Sequence, residues 1–127
     1  MSENKPTIGA ISWVDLTVPN ADSNRKFYET VAGWTSSPVD MGGYNDFSMN
    51  RSDGETVAGI CHAKGENAHL PPQWLIYITV ADLNASVEAC KRLGGKLISP
   101  ARELGNGHVA VIQDPAGAVA ALYQITA

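Results

Sequence analysis

Asp15 is the side chain of this sequence whose type and position best suit chemistry. It stands on a stretch of alternating apolar and mixed residues, on the same side as Trp13. One interpretation makes its carboxylate a general base, or the anchor of a bound ligand, in an apolar pocket. The other makes it a strand carboxylate that accepts a hydrogen bond from a neighbouring hydroxyl or backbone amide. Both interpretations stay open, and Asp15 is the predicted catalytic residue under the first.

Aromatic side chains are predicted to line the same site. Tyr77 follows Asp15 by 62 positions, and its hydroxyl could donate a hydrogen bond to the same ligand. The alternative for Tyr77 is a half-buried ring with its hydroxyl in water. Trp34 directly follows a predicted helix and is assigned to the core, whereas Trp13 is predicted to line the pocket.

The histidines and Cys61 give weaker indications of a metal site or a catalytic thiol. The spacing of His62, His69 and His108 matches no zinc motif, and solvated histidines are favoured over a three-ligand site of His62, His108 and Glu103. Cys61 precedes His62, but adjacent residues of a strand point to opposite faces. We therefore do not expect a thiolate–imidazole couple.

One strand, one helix and one β-hairpin are predicted to position Asp15. The strand spans 11–18, with Trp13, Asp15 and Thr17 on one face and Val14, Leu16 and Val18 on the other. A helix capped by Asn20 or Asp22 follows, carries Phe27, Tyr28 and Val31, and ends at Gly33. Residues 35–41 are predicted to form a loop before a hairpin with strands at 45–51 and 55–60.

The same order of elements returns in the second half. A strand at 75–80 places Leu75, Tyr77 and Thr79 on one face, and Asp82 caps a helix with an apolar stripe of Val87, Cys90 and Leu93. A strand near 96–98, a loop over 100–107 and a hairpin around Asp114–Gly117 follow. Val18 and Val80 are 62 positions apart, as are Gly33 and Gly95, so the chain contains an internal repeat.

The repeat predicts two modules of strand–helix–strand–strand–strand order, each with a curved sheet that a helix covers on its apolar side and that is concave on its mixed side, where a largely apolar pocket is expected. We expect one domain over 1–127, with module one at about 9–61, a linker at 62–73 and module two at about 74–125. The predicted ligand-binding residues are those on the mixed strand faces: Trp13, Asp15, Leu75, Tyr77, Ala121 and Tyr123.

The composition of the chain argues against several kinds of binding partner. Thirteen acidic and nine basic residues, without a basic cluster, argue against nucleic acid and anionic membranes. No apolar run reaches the roughly 20 residues of a membrane span, and the first residues lack an apolar signal core. These features predict a cytoplasmic protein in which Cys61 and Cys90 are reduced and mostly buried.

Several motifs resemble the vicinal oxygen chelate superfamily, which includes the glyoxalase, bleomycin-resistance and extradiol-dioxygenase families. They are Trp13–Leu16, Phe27–Tyr28, Gly33–Trp34, Val57–Ile60, Pro71–Trp74, Val80–Asp82, Leu93–Gly95 and Asp114–Gly117. The resemblance spans about residues 9–125. It implies an α+β fold in which two βαβββ modules form a U-shaped mixed sheet around a small-molecule cavity, often in homodimers.

The resemblance also implies where metal ligands would stand. Metal enzymes of the superfamily have one metal ligand on the first strand and one on the last strand of each half. The corresponding positions of this chain are Trp13, Leu75, Ala58 (or Gly59) and Ala121. None of these side chains is an imidazole, thiolate or carboxylate. The sequence therefore resembles the metal-free members, and no metal or other cofactor is predicted.

These observations favour a small-molecule-binding protein that holds an apolar or aromatic compound without metal. The alternative is an enzyme, namely a lyase, isomerase or ring-cleaving dioxygenase that uses a divalent metal at unconventional ligands or Asp15 as a base. A third alternative is a structural or partner-binding domain. The sequence predicts a small organic ligand as the partner, with homodimer formation, and leaves the choice between binding and catalysis open.

Overall fold

The computed structural model describes residues 7–126. The elements are β1 (Ile11–Val18), α1 (Ala21–Ala32), β2 (Thr35–Asp40), β3 (Asn45–Asn50), β4 (Thr56–His62), β5 (Trp74–Thr79), α2 (Leu83–Arg92), β6 (Lys96–Leu104), β7 (Gly107–Gln113) and β8 (Val119–Ile125). A short 3-10 helix covers Gly65–Asn67. One strand, one helix and three strands therefore occur twice. The predicted α+β fold of two βαβββ modules is confirmed.

Residues 13–74 form one compact unit, which contains most of β1 and all of α1 to β4. Its strands lie in the order β2-β3-β4-β1, and β1 runs parallel to β4 with Asp15 opposite Gly59. Residues on the α1 side of the sheet form its core: Leu16, Val18, Ala21, Phe47, Met49, Ala58 and Ile60. Tyr28, Trp34 and Trp74 pack against this core, which confirms the assignment of Trp34.

The second compact unit consists of residues 7–12 and 75–126 of the described chain. Its strands lie in the order β5-β8-β7-β6, and β5 runs parallel to β8 with Tyr77 opposite Ala121. Leu83 and Val87 of α2 pack with Ala110 and Leu122 of the sheet. The N-terminal residues pair with β5, since Gly9 N donates to Thr79 O at 2.8 Å and Thr79 N donates to Ala10 O at 2.9 Å.

Turn and cap chemistry follows the predictions at most positions. Asp114 Oδ1 accepts hydrogen bonds from the backbone of Ala116 and Ala118, and Gly117 has a φ of 98°. Because only glycine adopts that φ at little cost, the Asp114–Gly117 hairpin is fixed locally. Gly33 ends α1 in the left-handed conformation, as predicted.

The predicted loop over 35–41 is wrong, because residues 35–40 form the edge strand β2. All six residues of β2 pair with β3, from Thr35 opposite Asn50 to Asp40 opposite Asn45. The strand carries no apolar alternation because its side chains are mostly exposed, and Pro38 is tolerated because an edge strand has one unpaired side. Backbone pairing with β3 therefore creates this strand without a side-chain signal.

Three further predictions are corrected. The strand predicted near 96–98 continues to Leu104, because irregularities in its pairing with β7 carry it past Pro100. Leu93 is 70% exposed instead of lying on the apolar stripe of α2, because it follows the last helical residue. Cys61 and Cys90, both in the described part of the chain, share no disulfide and are partly exposed instead of mostly buried.

Neither helix among residues 7–126 is long and apolar enough to cross a membrane.

Candidate functional site

Asp15 and Trp13 form the centre of a polar cluster on β1. Residues two apart in a strand share a face, so the two side chains lie side by side, and Trp13 Nε1 donates a hydrogen bond to Asp15 Oδ1 at 2.7 Å. Both side chains are partly exposed. The two-residue period of the strand predicts this shared face, and the structure adds that the indole orients the carboxylate.

Gly59 provides the space for this carboxylate. It lies opposite Asp15 on the neighbouring strand β4. A methyl group at Gly59 would lie 2.3 Å from Asp15 Oδ1 and 3.5 Å from Cζ2 of Trp13. Real side chains do not approach that closely, so any other residue at position 59 would displace the carboxylate. The close approach, rather than a positive φ, is what requires glycine here.

Cys61 contacts the second oxygen of the same carboxylate. It lies two residues after Gly59 on the same face of β4, and its thiol donates to Asp15 Oδ2 at 3.9 Å. We call Trp13, Asp15, Gly59 and Cys61 the Asp15 cluster. Its carboxylate accepts a hydrogen bond from a side chain on each oxygen.

The Asp15 cluster offers two kinds of contact. A partly exposed carboxylate accepts strong hydrogen bonds from O–H or N–H groups of a ligand. The indole of Trp13 offers a flat apolar surface on which an aromatic ring can stack. An arrangement of one anchored acceptor beside one aromatic surface therefore suits an aromatic compound that carries a hydrogen-bond donor.

The second module places the other predicted site residues on the equivalent strands. Leu75, Tyr77 and Ala121 are buried, with 2%, 9% and 0% of their surfaces exposed. Tyr77 is therefore more buried than either interpretation of it assumed. Tyr123 is partly exposed, and its hydroxyl donates to the backbone oxygen of Leu104 at 2.7 Å.

The positions that correspond to metal ligands in the superfamily do not fit a metal. Trp13 uses its indole N–H on Asp15, and Leu75, Ala58 and Ala121 are buried apolar side chains without a donor atom. Within residues 7–126 there is also no group of three or more His, Cys, Asp or Glu side chains that could hold a metal ion.

Sequence reasoning missed Gly59 and Cys61 as members of the cluster. Cys61 was considered only as a partner of His62, and the structure confirms that the two side chains have different neighbours, Asp15 and Asp46. The signal for both residues was the repeat itself, because Gly59 and Cys61 stand 62 positions before Ala121 and Tyr123, two predicted site residues.

Comparison with known proteins places the chain in a family. Residues 10–122 match the Glyoxalase/Bleomycin resistance protein/Dioxygenase superfamily. Together with the repeated βαβββ order, this match shows that the chain belongs to that superfamily, as the sequence motifs had suggested.

Individual relatives carry two kinds of name. "Putative glyoxylase CFP32" of Mycobacterium bovis is 37% identical over 120 residues, which cover 91% of this chain and 46% of the relative. "Anthracycline biosynthesis protein DnrV" of Streptomyces peucetius is 33% identical over 132 residues, which cover 91% of this chain and 47% of the relative. The chain therefore spans about half the length of these curated relatives.

A solved structure supports the fold alone. The hypothetical protein BH1468 from Bacillus halodurans C-125 aligns with a TM-score of 0.63 and 11% sequence identity. The alignment covers 95% of this chain and 97% of the other.

Proposed function

We propose that this protein binds a small apolar or aromatic compound at the Asp15 cluster without a metal. The observation that carries the proposal is the Asp15 carboxylate, which Trp13 and Cys61 hold on its two oxygens above Gly59. The aromatic part of the ligand stacks on Trp13, and a hydroxyl or amine of the ligand donates to Asp15. Burial and stacking supply most of the affinity, and the hydrogen bond sets the orientation.

The predicted contacts in the second module take a smaller part in this proposal. Leu75, Tyr77, Ala121 and Tyr123 remain predicted ligand-binding residues, but only Tyr123 is partly exposed. The direct polar contact is therefore assigned to Asp15.

The name of one relative supports an aromatic ligand. Anthracyclines are polycyclic aromatic compounds with several hydroxyl groups, which suit a stacking surface next to a carboxylate, and DnrV is named for anthracycline biosynthesis. We extend only this ligand chemistry to the present chain, which spans about half of that relative.

Catalysis is the second candidate function. The glyoxylase name of CFP32 and the partly exposed Asp15 carboxylate favour a lyase or isomerase in which Asp15 takes a proton from the bound substrate. This alternative requires turnover that the Asp15→Asn substitution abolishes. If Asp15→Asn lost binding in a protein that shows no turnover, the binding function would stand.

The test of the proposed function is the affinity for 2-naphthol, a planar aromatic compound with one hydroxyl, measured by isothermal titration calorimetry. We expect Trp13→Ala to abolish binding because it removes both the stacking surface and the donor that orients Asp15. Phe27→Ala is the matched control, because Phe27 is an exposed aromatic residue of the same module. Unchanged affinity in a folded Trp13→Ala variant would refute the assignment.

Two further expectations accompany the proposal. We propose that two chains associate into a homodimer, as the superfamily resemblance implies, and that the protein is cytoplasmic. Light scattering at several protein concentrations tests the first, and a molar mass of one chain throughout would overturn it.

A further inference from the structure

A cleft on the α1 side of the first module's sheet is separate from the Asp15 cluster. Its volume is about 490 Å³, and it is lined by Asp22, Arg25, Ser36, Pro38, Tyr44, Asn45, Phe47 and His62. We call it the His62 cleft. Phe47 belongs to the core under α1, whereas Asp15 alternates with the core residue Leu16 and so faces the other side of the sheet. The two candidate sites therefore use opposite faces of the first module.

His62 lines this cleft, and its Nδ1 lies beside a buried carboxylate. Asp46 is buried and accepts a hydrogen bond from the His62 backbone N–H at 2.8 Å, and the same oxygen lies 3.4 Å from Nδ1. A carboxylate beside Nδ1 favours the tautomer with the proton on that nitrogen. In the neutral ring, Nε2 is then a hydrogen-bond acceptor. The ring also packs edge-on against Tyr44, at 5.3 Å between centroids, which fixes its orientation.

Two further polar side chains of the cleft, Ser36 and Arg25, are poorly suited to bind an anion. Ser36 donates its hydroxyl proton to Glu29, so its oxygen can accept from a ligand. Arg25 lies 4.6 Å above the ring of Phe47 and directs its N–H groups to Asp22 and Glu29, at 3.1–3.4 Å. Its guanidinium is therefore committed to carboxylates of its own helix and is a poor site for an incoming anion.

The charge around the cleft is slightly negative. Three carboxylates lie in or next to the cleft, those of Asp22, Glu29 and Asp46. Two cations accompany them: Arg25, and Lys64, whose ammonium lies 4.3 Å from the centre of the Tyr44 ring. His62 apart, these side chains carry an excess of one negative charge. The local field therefore favours a neutral or cationic ligand over an anion.

We propose that the His62 cleft is a second ligand site, for a neutral or cationic ring compound that carries O–H or N–H donors. A donor of the ligand binds His62 Nε2, a second donor binds Ser36 Oγ or Asp22, and the ring lies along Tyr44. The site discriminates against the corresponding carboxylates. This proposal does not depend on the function proposed for the Asp15 cluster, which faces the other side of the sheet.

The test uses two probes of similar shape and opposite charge, tyramine and 4-hydroxyphenylacetate, titrated into the ¹⁵N-labelled protein. We expect tyramine to shift the amide signals of Ser36, Tyr44 and His62 in a saturable way, with a Kd of about 1 mM or lower. The carboxylate should bind roughly tenfold more weakly. Equal affinities for the two probes would contradict the proposal, as would the absence of a saturable shift at these residues.

A pair of variants tests the role of the imidazole. His62→Phe keeps a ring and removes Nε2, so tyramine affinity should fall about threefold to tenfold, the loss expected for one hydrogen bond. His108→Phe, in the other module, is the control and should leave the affinity unchanged. If His62→Phe does not fold, the imidazole ¹⁵N signals of the wild-type protein provide the test. The Nε2 signal of His62 should move on addition of tyramine, and a stationary Nε2 signal would overturn the proposal.

Discussion

The two modules share one strand arrangement but carry different chemistry on it. In each, the first strand runs parallel to the last, with Asp15 opposite Gly59 in one and Tyr77 opposite Ala121 in the other. The equivalent pairs on this face are Trp13 and Leu75, Asp15 and Tyr77, Gly59 and Ala121, and Cys61 and Tyr123. The repeat therefore preserves backbone register, whereas the polarity of each face depends on individual side chains.

The difference between the modules is clearest at positions 59 and 121, where the two residues differ by one methyl group. Position 59 is glycine, and the Asp15 carboxylate occupies the space that a side chain would fill. Position 121 is alanine, with none of its surface exposed, beside the buried Tyr77. In the first module a carboxylate therefore occupies the space of a packed side chain, whereas in the second module the alanine methyl group is packed there.

Exchanging these two small residues should produce the largest effects. Gly59→Ala forces the carboxylate out of its place, and we expect a loss of about 1–3 kcal/mol in the free energy of unfolding together with loss of 2-naphthol binding. Ala121→Gly should cost about 1–2 kcal/mol, from one lost buried methyl group and a more flexible backbone, with the Asp15 cluster intact. Urea unfolding and calorimetry measure the two quantities. Full binding by Gly59→Ala would contradict the role given to glycine.

Substitutions at the helix caps should reveal a smaller difference between the modules in the free energy of unfolding. Asp82 accepts a hydrogen bond from Ala85 N at 3.1 Å at the start of α2, whereas the equivalent Asn20 makes no side-chain cap bond at the start of α1. We therefore expect Asp82→Ala to lower the free energy of unfolding by about 1 kcal/mol and Asn20→Ala to lower it much less. Equal losses in urea unfolding would show that this difference between the caps has no energetic weight.

The smallest expected effect is a pH dependence in the first hairpin. Hydrogen bonding to Arg51 holds the pKa of the exposed Asp53 below its usual value. A lowered pKa in the folded state stabilises the fold above the unfolded-state pKa, and this contribution disappears as the pH falls through the folded-state value. Asp53→Asn should therefore be slightly less stable than the wild type at neutral pH and equal to it in acid. A gap that widens in acid would reverse the sign and contradict this account.

Much of the fold could be predicted because its signals are local. The alternation from Ile11 to Val18 gave the bounds of β1, and the turn residues around Gly54 and Gly117 gave both hairpins. The edge strand β2 could not be predicted, because its six residues carry no apolar alternation and depend on pairing with β3. Local patterning therefore predicts buried strands better than edge strands.

The candidate site could be predicted only in part. Trp13 and Asp15 belong to one strand, so the two-residue period was sufficient to place them together. Gly59 and Cys61 reach them through the parallel register of β1 and β4, which depends on the whole module. The His62 cleft was missed for the same reason, because Asp46 and His62 come from neighbouring strands while Arg25 comes from the helix.

The most direct test of the central claim is the preference of the protein for 2-naphthol over 2-methoxynaphthalene, which has nearly the same shape but no donor. Hydrogen bonds to a charged group contribute about 1.5–3 kcal/mol, so the wild type should prefer 2-naphthol by roughly tenfold to a hundredfold. Asp15→Asn should reduce this preference to roughly twofold to tenfold, because the amide oxygen still accepts a hydrogen bond but carries no charge. Equal affinities in the wild type, or a preference that Asp15→Asn leaves unchanged, would contradict the assignment of Asp15 as the ligand's acceptor.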